Sequence, residues 1–393
     1  MADGVVIVAG VRTAIGTFGG AIASVPPSEL AAKCVTEALR RASVPGEAIG
    51  HVVFGNVIPT EPRDAYIARV AAIEGGIPRE VPAMTVNRLC GSGLQAIVSA
   101  VQAIRLGDAD AAVAGGAESM SRSPHILRSA RFGQRMGDTV ALDYMIGVLN
   151  DPFGNGHMGV TAENVAKRYD VSRDRQDAFA AESQARAQAA IREGRFRDQI
   201  LPVEVTASRK TSVFDTDEHP KPATAADLEK LRPAFAKDGT VTAGNASGLN
   251  DGAAAVVLMN EAKAEREGRT PLARIVGYAH AGVDPSEMGM GPVPAVRRLC
   301  ERTGLNVLDF DVIESNEAFA SQACAVSREL GLDPARVNPN GGAIALGHPI
   351  GATGAIITVK ALYELARVKG RYGLVTMCIG GGQGIAMAFE RLH

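Results

Sequence analysis

Short apolar runs and stretches of helical period alternate along the first 120 residues. "GVVIVAGVR" (4–12) is almost wholly apolar, as a strand buried on both faces should be. "PPSELAAKCVTEALRRASV" (26–44) places Leu30, Ala31, Cys34, Val35 and Leu39 on one helical face, with Ser28 expected at the N-cap. "IGHVVFGNVI" (49–58) reads as a second strand. Leu94, Ile97, Val98, Val101 and Ile104 return to helical spacing, and Gly107 closes that helix. "ADAAVAGGAES" (109–119) is a third strand running into a glycine turn. This alternation predicts an α/β fold with a parallel or mixed sheet.

From residue 120 to 249 the texture changes. Arg, Asp, Gln and Ser become dense, and Met136, Met145 and Met158 fall in this stretch. Residues 161–194 read as one helix or as two joined at Val171–Ser172. "ASRKTSVFDTDEHPKPAT" (207–224) reads as polar and irregular. The whole stretch is expected to be a long excursion serving one face of the core. After residue 272 the first pattern returns: "PLARIVGYAH" matches the opening strand, and "FDVIESNEAFA" (310–320) matches "GHVVFGNVI", with Asn316 in place of Asn56. "LGHPIGATGAIITVKALYELARVKG" (346–370) matches "LCGSGLQAIVSAVQAIRLG", and "YGLVTMCIGGGQG" (372–384) matches "ADAAVAGGAES". A duplication accounts for this simply. Two facing halves would gather Cys90, Asn316, His348 and Cys378 at one site.

Composition narrows the class. The 393 residues suggest two or three domains, and 46% hydrophobic with 21% charged residues fits a globular protein with a large core. The net charge is −2, and no basic tract suited to nucleic acid or anionic lipid stands out. No apolar stretch is read as a membrane span, and "MADGVVIVAGVRTAIG" lacks the pattern of an export signal, so a cytoplasmic location is expected. Five cysteines without a CxxC pair argue against a disulfide framework or a zinc site and for a reducing compartment.

The turns carry candidate chemistry. An ordinary thiol has a pKa of about 8.5, and a helix N-terminus lowers it by favouring an anion, so Cys90 ahead of Gly91–Ser92–Gly93 reads as an activated nucleophile. Gly91 and Gly93 are expected to leave a ligand free access to it. His348, expected at the start of the matching helix, is placed to take the thiol proton. Cys378 precedes Gly380, Gly381 and Gly382, whose N–H groups suit a developing oxyanion. Plainer readings compete. Cys34, Cys300 and Cys324 sit in helical patterns and read as core. His348 before a proline also suits a turn. "GSGLQA" matches the weak dinucleotide fingerprint, but it lies far from the N-terminus and has a thiol in front of it.

Six motifs in order then carry a family resemblance: "NRLCGSGLQA" (87–96), "HMGVTAENVA" (157–166), "NASGLNDGAAA" (245–255), "NEAFA" (316–320), "GHPIGATGA" (347–355) and "CIGGGQG" (378–384). Together they resemble the thiolases, the acetyl-CoA C-acyltransferases, over Val5 to Glu390, and are most similar in texture to broad-specificity β-ketothiolases of polyhydroxyalkanoate-making bacteria. The resemblance implies a five-layered αβαβα core of two duplicated halves (1–120 plus 250–272, and 273–393) with an inserted lid domain (121–249), assembled as a homotetramer, a dimer of dimers. It implies that Cys90 carries the acyl group, that His348 activates it, and that Cys378 moves the α-proton. Asn316 would hold a water that forms one oxyanion hole with His348; the N–H groups of Cys90 and Gly380 would form the other.

Coenzyme A and acyl-CoA are then substrates, with no permanently bound cofactor and no metal. Ser247, His157 and Met158 match pantetheine-side positions, and Leu149, Phe235, Ala243, Met288, Ala318 and Phe319 match the apolar lining. Where the family often has Arg after "DEHP", this chain has Lys221, which puts the adenine contact in doubt because an ammonium cannot stack like a guanidinium. Three alternatives stand beside this reading. A decarboxylating condensing enzyme of the ketoacyl-synthase type would be expected to lack Cys378. A non-catalytic acyl-CoA-binding relative would be expected to lose one of the four site residues. A scaffold would have no use for either thiol.

Overall fold

The computed structural model describes residues 4–207 and 210–392. Its principal elements are β1 (Val5–Thr13), α1 (Pro27–Ala42), β2 (His51–Gly55), α2 (Ile67–Glu74), β3 (Ala83–Val86), α3 (Ser92–Leu106) and β4 (Ala111–Ser119). In the excursion lie α4 (Met158–Arg168) and α5 (Arg173–Arg192). There follow β5 (Asn250–Asn260), β6 (Ala273–Gly282), α6 (Pro292–Thr303), β7 (Phe310–Ser315), α7 (Ala320–Leu330), α8 (Thr353–Arg367), β8 (Tyr372–Ile379) and β9 (Gln383–Arg391).

The strands lie in the order β7-β8-β9-β6-β1-β5-β4-β2-β3. Each half repeats one plan. β2, β4, β5 and β1 are neighbours in that order, as are β7, β8, β9 and β6; the first pair is parallel and the next two are antiparallel. β3 adds a parallel edge to β2, and an isolated parallel bridge from Ile313 to Val337 stands in the matching place. Val6 pairs with Arg274 and Ile7 with Ala273, joining the half-sheets. α1 and α2 cover one face, α3 and α8 fill the middle, and α6 and α7 cover the other, giving five layers. β1 and β4 are buried along their whole length because helices cover both their faces, which is why they read as continuous apolar runs. The excursion packs on both halves: α4 packs on α7 and α5 on α7 and the short helix Ala343–Leu346, while Ile200–Leu201 pairs with the end of β1 and Asp217 holds the buried Arg12.

Three local expectations change, and one left open is decided. α1 starts at Pro27 behind Pro26, no side chain caps it, and Ser28 is buried inside; Pro at the first position has no N–H to satisfy. Residues 203–207 and 210–214 form an antiparallel hairpin, so part of the stretch 207–224 expected to be irregular is strand; Ser208 and Arg209 lie outside the described residues, as do Met1–Asp3. The 161–194 stretch is two helices, with Ser172 capping the second through Arg175 N–H. Leu89–Leu106 is apolar and long enough by composition for a membrane span, where none was expected; it holds α3, a middle-layer helix whose apolar face is buried in the core.

Candidate active site

Asn56 and Asn316 follow β2 and β7 directly, and Glu118 and Cys378 close β4 and β8. The site therefore opens at the carboxyl ends of the parallel strands, where α/β sheets commonly bind ligands. Cys90 sits in the turn before α3. That turn is tight: Leu89 has φ 45°, in the left-handed region, and three contacts hold it. Asn87 Oδ1 accepts Leu89 N–H at 2.9 Å, Ser92 Oγ accepts Arg88 N–H at 2.9 Å, and the Ser92 hydroxyl donates to Leu89 O at 2.7 Å.

The neighbouring glycines do not serve ligand access, as was expected. A Cβ on Gly93 would lie 2.8 Å from Ala355 N, and one on Gly354 would lie 2.3 Å from Leu94 N. Helices α3 and α8 therefore meet backbone to backbone at their first turns. A Cβ on Gly91 would strike Ile379. The thiol also differs from expectation. The N–H groups of Cys90 and Gly380 reach it and favour the anion, yet burial outweighs them and pushes the thiol up. In the unliganded site Cys90 is a protonated thiol that needs a base.

His348 is not at a helix start; α8 begins five residues later, at Thr353. Its ring is held in the turn between Ala343–Leu346 and α8. The His348 backbone N–H donates to Asn250 Oδ1 at 3.0 Å, ring Nδ1 lies 2.6 Å from Thr353 Oγ1, and ring Nε2 lies 3.5 Å from Asn316 Nδ2, at the edge of hydrogen-bonding distance. Burial lowers its pKa from 6.5 to about 4, so the imidazole is neutral at pH 7 and available as a base. Asn316 Oδ1 is buried without a hydrogen-bond partner, an acceptor that suits a water or a polar substrate atom. Cys378 is buried, and burial first and the Cys90 charge second push its thiol up, so it rests as an acid.

One apolar cavity of about 360 Å³ joins these groups. It is lined by Cys90, His348, Cys378 and Gly380, and by Ser247, His157, Met158, Leu149, Phe235, Ala243, Met288, Ala318 and Phe319. His157 stacks on Phe235 with centroids 4.8 Å apart, and Phe319 meets Phe235 edge-on at 6.1 Å. Asn316 is not among the lining residues; it stands behind His348, its Nδ2 3.5 Å from Nε2. Lys221 does not line the cavity. It is exposed, its backbone N–H is tied to Gln184, and its cation helps to lower the pKa of neighbouring His219, behind burial as the larger cause.

Sequence reasoning missed Met120, Ile350 and Leu249 in the wall. It also missed three buried polar residues that build the site. Asn250 and Thr353 hold His348. Glu118 accepts from Asn56 Nδ2 at 2.9 Å, Ile58 N at 3.0 Å, Val57 N at 3.1 Å and Gly351 N at 2.7 Å. Burial outweighs these donors and raises its pKa to about 8. The "NDG" and "AES" stretches that carry Asn250 and Glu118 were on view, but their partners lie 98 and 233 residues away.

Two thiols, a neutral imidazole and convergent N–H donors in an apolar pocket define an acyl-transferring enzyme of the thioester-forming class. The profile of the "Thiolase, N-terminal domain" family matches residues 5–262, and that of the "Thiolase, C-terminal domain" family matches 269–391. The chain is 67% identical to Beta-ketothiolase BktB of Cupriavidus necator over 391 residues, 99% of each chain. It is 51% identical to an acetyl-CoA acetyltransferase of Thiocystis violacea across 100% of both. The crystal structure of human mitochondrial 3-ketoacyl-CoA thiolase in complex with CoA superposes with a TM-score of 0.96 at 44% identity, covering 99% of this chain and 98% of that one. The chain belongs to the thiolase family.

Proposed function

We propose that this chain is a β-ketothiolase that interconverts a short-chain 3-ketoacyl-CoA plus CoA with acetyl-CoA plus a shortened acyl-CoA. The observation that carries the reading is the meeting of Cys90, Cys378 and His348 on one apolar cavity, with the N–H groups of Cys90 and Gly380 directed at the Cys90 sulfur. In cleavage, His348 takes the Cys90 proton and the thiolate attacks the β-keto carbon. The oxyanion is stabilised and then collapses, breaking the bond between the α- and β-carbons. The departing α-carbanion takes the Cys378 proton and leaves as acetyl-CoA. The incoming CoA thiol gives its proton to the Cys378 thiolate and attacks the acyl-Cys90 thioester; the released Cys90 thiolate recovers its proton from His348. Atoms and protons balance, and synthesis runs the same steps backwards.

Two oxyanions arise, one tetrahedral and one enolate, so two sets of donors are needed. The Cys90 and Gly380 N–H groups suit one, and protonated His348 with a water on Asn316 suits the other. Met288, Phe319 and Leu149 would form apolar walls for the acyl chain, and Ser247 with His157 and Met158 would flank the pantetheine arm. A homotetramer, a cytoplasmic location, the lid role of residues 121–249 and service in polyhydroxyalkanoate or fatty-acid metabolism belong to the same proposal, supported by family membership. A decarboxylating condensing enzyme is disfavoured because Cys378 stands where carbanion protonation needs an acid. The test incubates the protein with CoA and a panel of 3-ketoacyl-CoAs, follows loss of the keto thioester, and looks for acyl-Cys90 by intact mass. No thiolysis with any chain length would reject the reading.

A further inference from the structure

We propose that Thr353 is a positioning residue for His348, holding the imidazole in the tautomer whose lone pair lies on Nε2. The inference rests on the reading of His348 as the base that takes the Cys90 proton. A hydroxyl has one proton and two lone pairs. Thr353 Oγ1 lies 2.9 Å from Pro349 O, a carbonyl that can only accept, so the hydroxyl proton is directed there. The same Oγ1 lies 2.6 Å from His348 Nδ1. With the hydroxyl proton committed, that contact is a hydrogen bond only if Nδ1–H donates. A neutral imidazole carries a single N–H, so Nε2 is left as the acceptor. Nε2 is on the Asn316 side of the ring, away from Thr353.

The surroundings make this arrangement firm. Thr353 is 2% exposed, so water cannot replace its hydroxyl. Its backbone N–H donates to the same Pro349 carbonyl at 2.9 Å, which locks the turn that His348 enters. Asn250 fixes the residue's main chain by accepting the His348 backbone N–H.

The two-fold plan supplies an independent argument. Ser92 begins α3 as Thr353 begins α8, each directly before one of the interlocked glycines. The Ser92 hydroxyl spends its contacts on backbone, taking Arg88 N–H and giving to Leu89 O. Thr353 also gives its proton to backbone, but its lone pair goes to a side chain. A turn-stiffening hydroxyl thus occurs in both halves, and only in the C-terminal half does it set the protonation pattern of a reacting group.

The test compares Thr353→Val with Thr353→Ser in the full-length protein. Three quantities are measured: thiolysis of acetoacetyl-CoA, the rate of Cys90 alkylation by iodoacetamide, and the melting temperature. Thr353→Val should lower kcat about 10- to 100-fold, by analogy with metal-bound histidines that lose their orienting partner. KM for acetoacetyl-CoA should move by less than about threefold, because substrate contacts remain. Alkylation should slow in parallel, and Thr353→Ser should restore both. If Thr353→Val unfolds, Thr353→Ala carries the same expectation without the added bulk. Wild-type kcat and alkylation in the Val or Ala variant, or a Ser variant as impaired as Val, would overturn the assignment. His348→Asn separates the two levels: if it stays active the base reading itself fails, whereas an inactive His348→Asn beside a fully active Thr353→Val refutes only the role of Thr353.

Discussion

In the N-terminal half, β2 pairs with β4 so that Gly55 faces Gly116; in the C-terminal half, β7 pairs with β8 so that Ser315 faces Thr376. One residue beyond the first partner stands Asn56 in one half and Asn316 in the other. Two residues beyond the second stand Glu118 and Cys378. The same two positions have therefore been put to opposite uses. Asn56 donates to Glu118 and to Ala117 O, and Glu118 collects four N–H and amide groups besides its neighbours' packing, including Gly351 from the opposite half. Asn316 leaves its Oδ1 unpartnered, and Cys378 faces the cavity as a buried acid. The difference teaches how a duplicated fold divides labour. The pair that is fully bonded clamps the turns together, and the pair that is left unsatisfied is the one free to react.

The sharpest way to break this comparison is at the nucleophile. Cys90→Ser should lower turnover by at least about 10³-fold, because a hydroxyl is far less acidic than a thiol. Intact mass should show no acyl-enzyme while the melting temperature holds. Next in size, Cys378→Ala should cost about 10²- to 10⁴-fold in carbon–carbon bond formation and α-proton exchange, as loss of a general acid–base does. Acyl transfer from acetyl-CoA to Cys90 should survive in part; equal loss of all three would contradict the separate role of Cys378.

Glu118→Gln should act on stability instead. Its amide would turn N–H toward N–H, costing about 1–3 kcal/mol per group left unpaired. Because the folded pKa of Glu118 is raised from 4.5 to about 8, its contribution to stability is greatest below 4.5 and falls as pH rises through 8. The gap between wild type and Glu118→Gln in urea unfolding should accordingly narrow over that window, and a widening gap would refute the burial argument. The smallest effect belongs to Lys221→Ala. Exposed and outside the cavity wall, it should change KM for CoA by less than about threefold at low salt, and the change should vanish as salt screens the charge. A large kcat defect would show that Lys221 reaches the chemistry.

Much of this organisation was legible from residue order. The alternation of apolar runs with helical period follows from strands sandwiched between helices, and the return of the pattern after residue 272 announced the second half. Cys90, His348, Cys378 and the apolar wall from Leu149 to Phe319 come together as the motifs implied. What stayed hidden depends on long-range partners. Nothing local says that Gly93 and Gly354 face each other's helix, since their contacts join residues about 260 positions apart in sequence. Nothing in the sequence singled out Thr353, whose contact with His348 exists only in the folded turn. At Cys90 the local rule was sound but incomplete: the N–H groups do favour the anion, and burial, which a sequence does not display, wins.

The contact of Gly93 with Ala355 and of Gly354 with Leu94 has a consequence for how such a site can diversify. With two backbones touching, the Cys90 turn and the His348 turn share a single rigid anvil, and no side chain can be added there without driving them apart. New acyl specificities cannot come from this part of the molecule. They have to come from the facing surfaces contributed by Met158, Phe235 and Met288, which belong to the excursion and to the turn it packs on. Selection, or a designer, can therefore rework the pocket's outer jaw widely while the reacting atoms keep their spacing, so one chemistry can be retained across many substrate ranges.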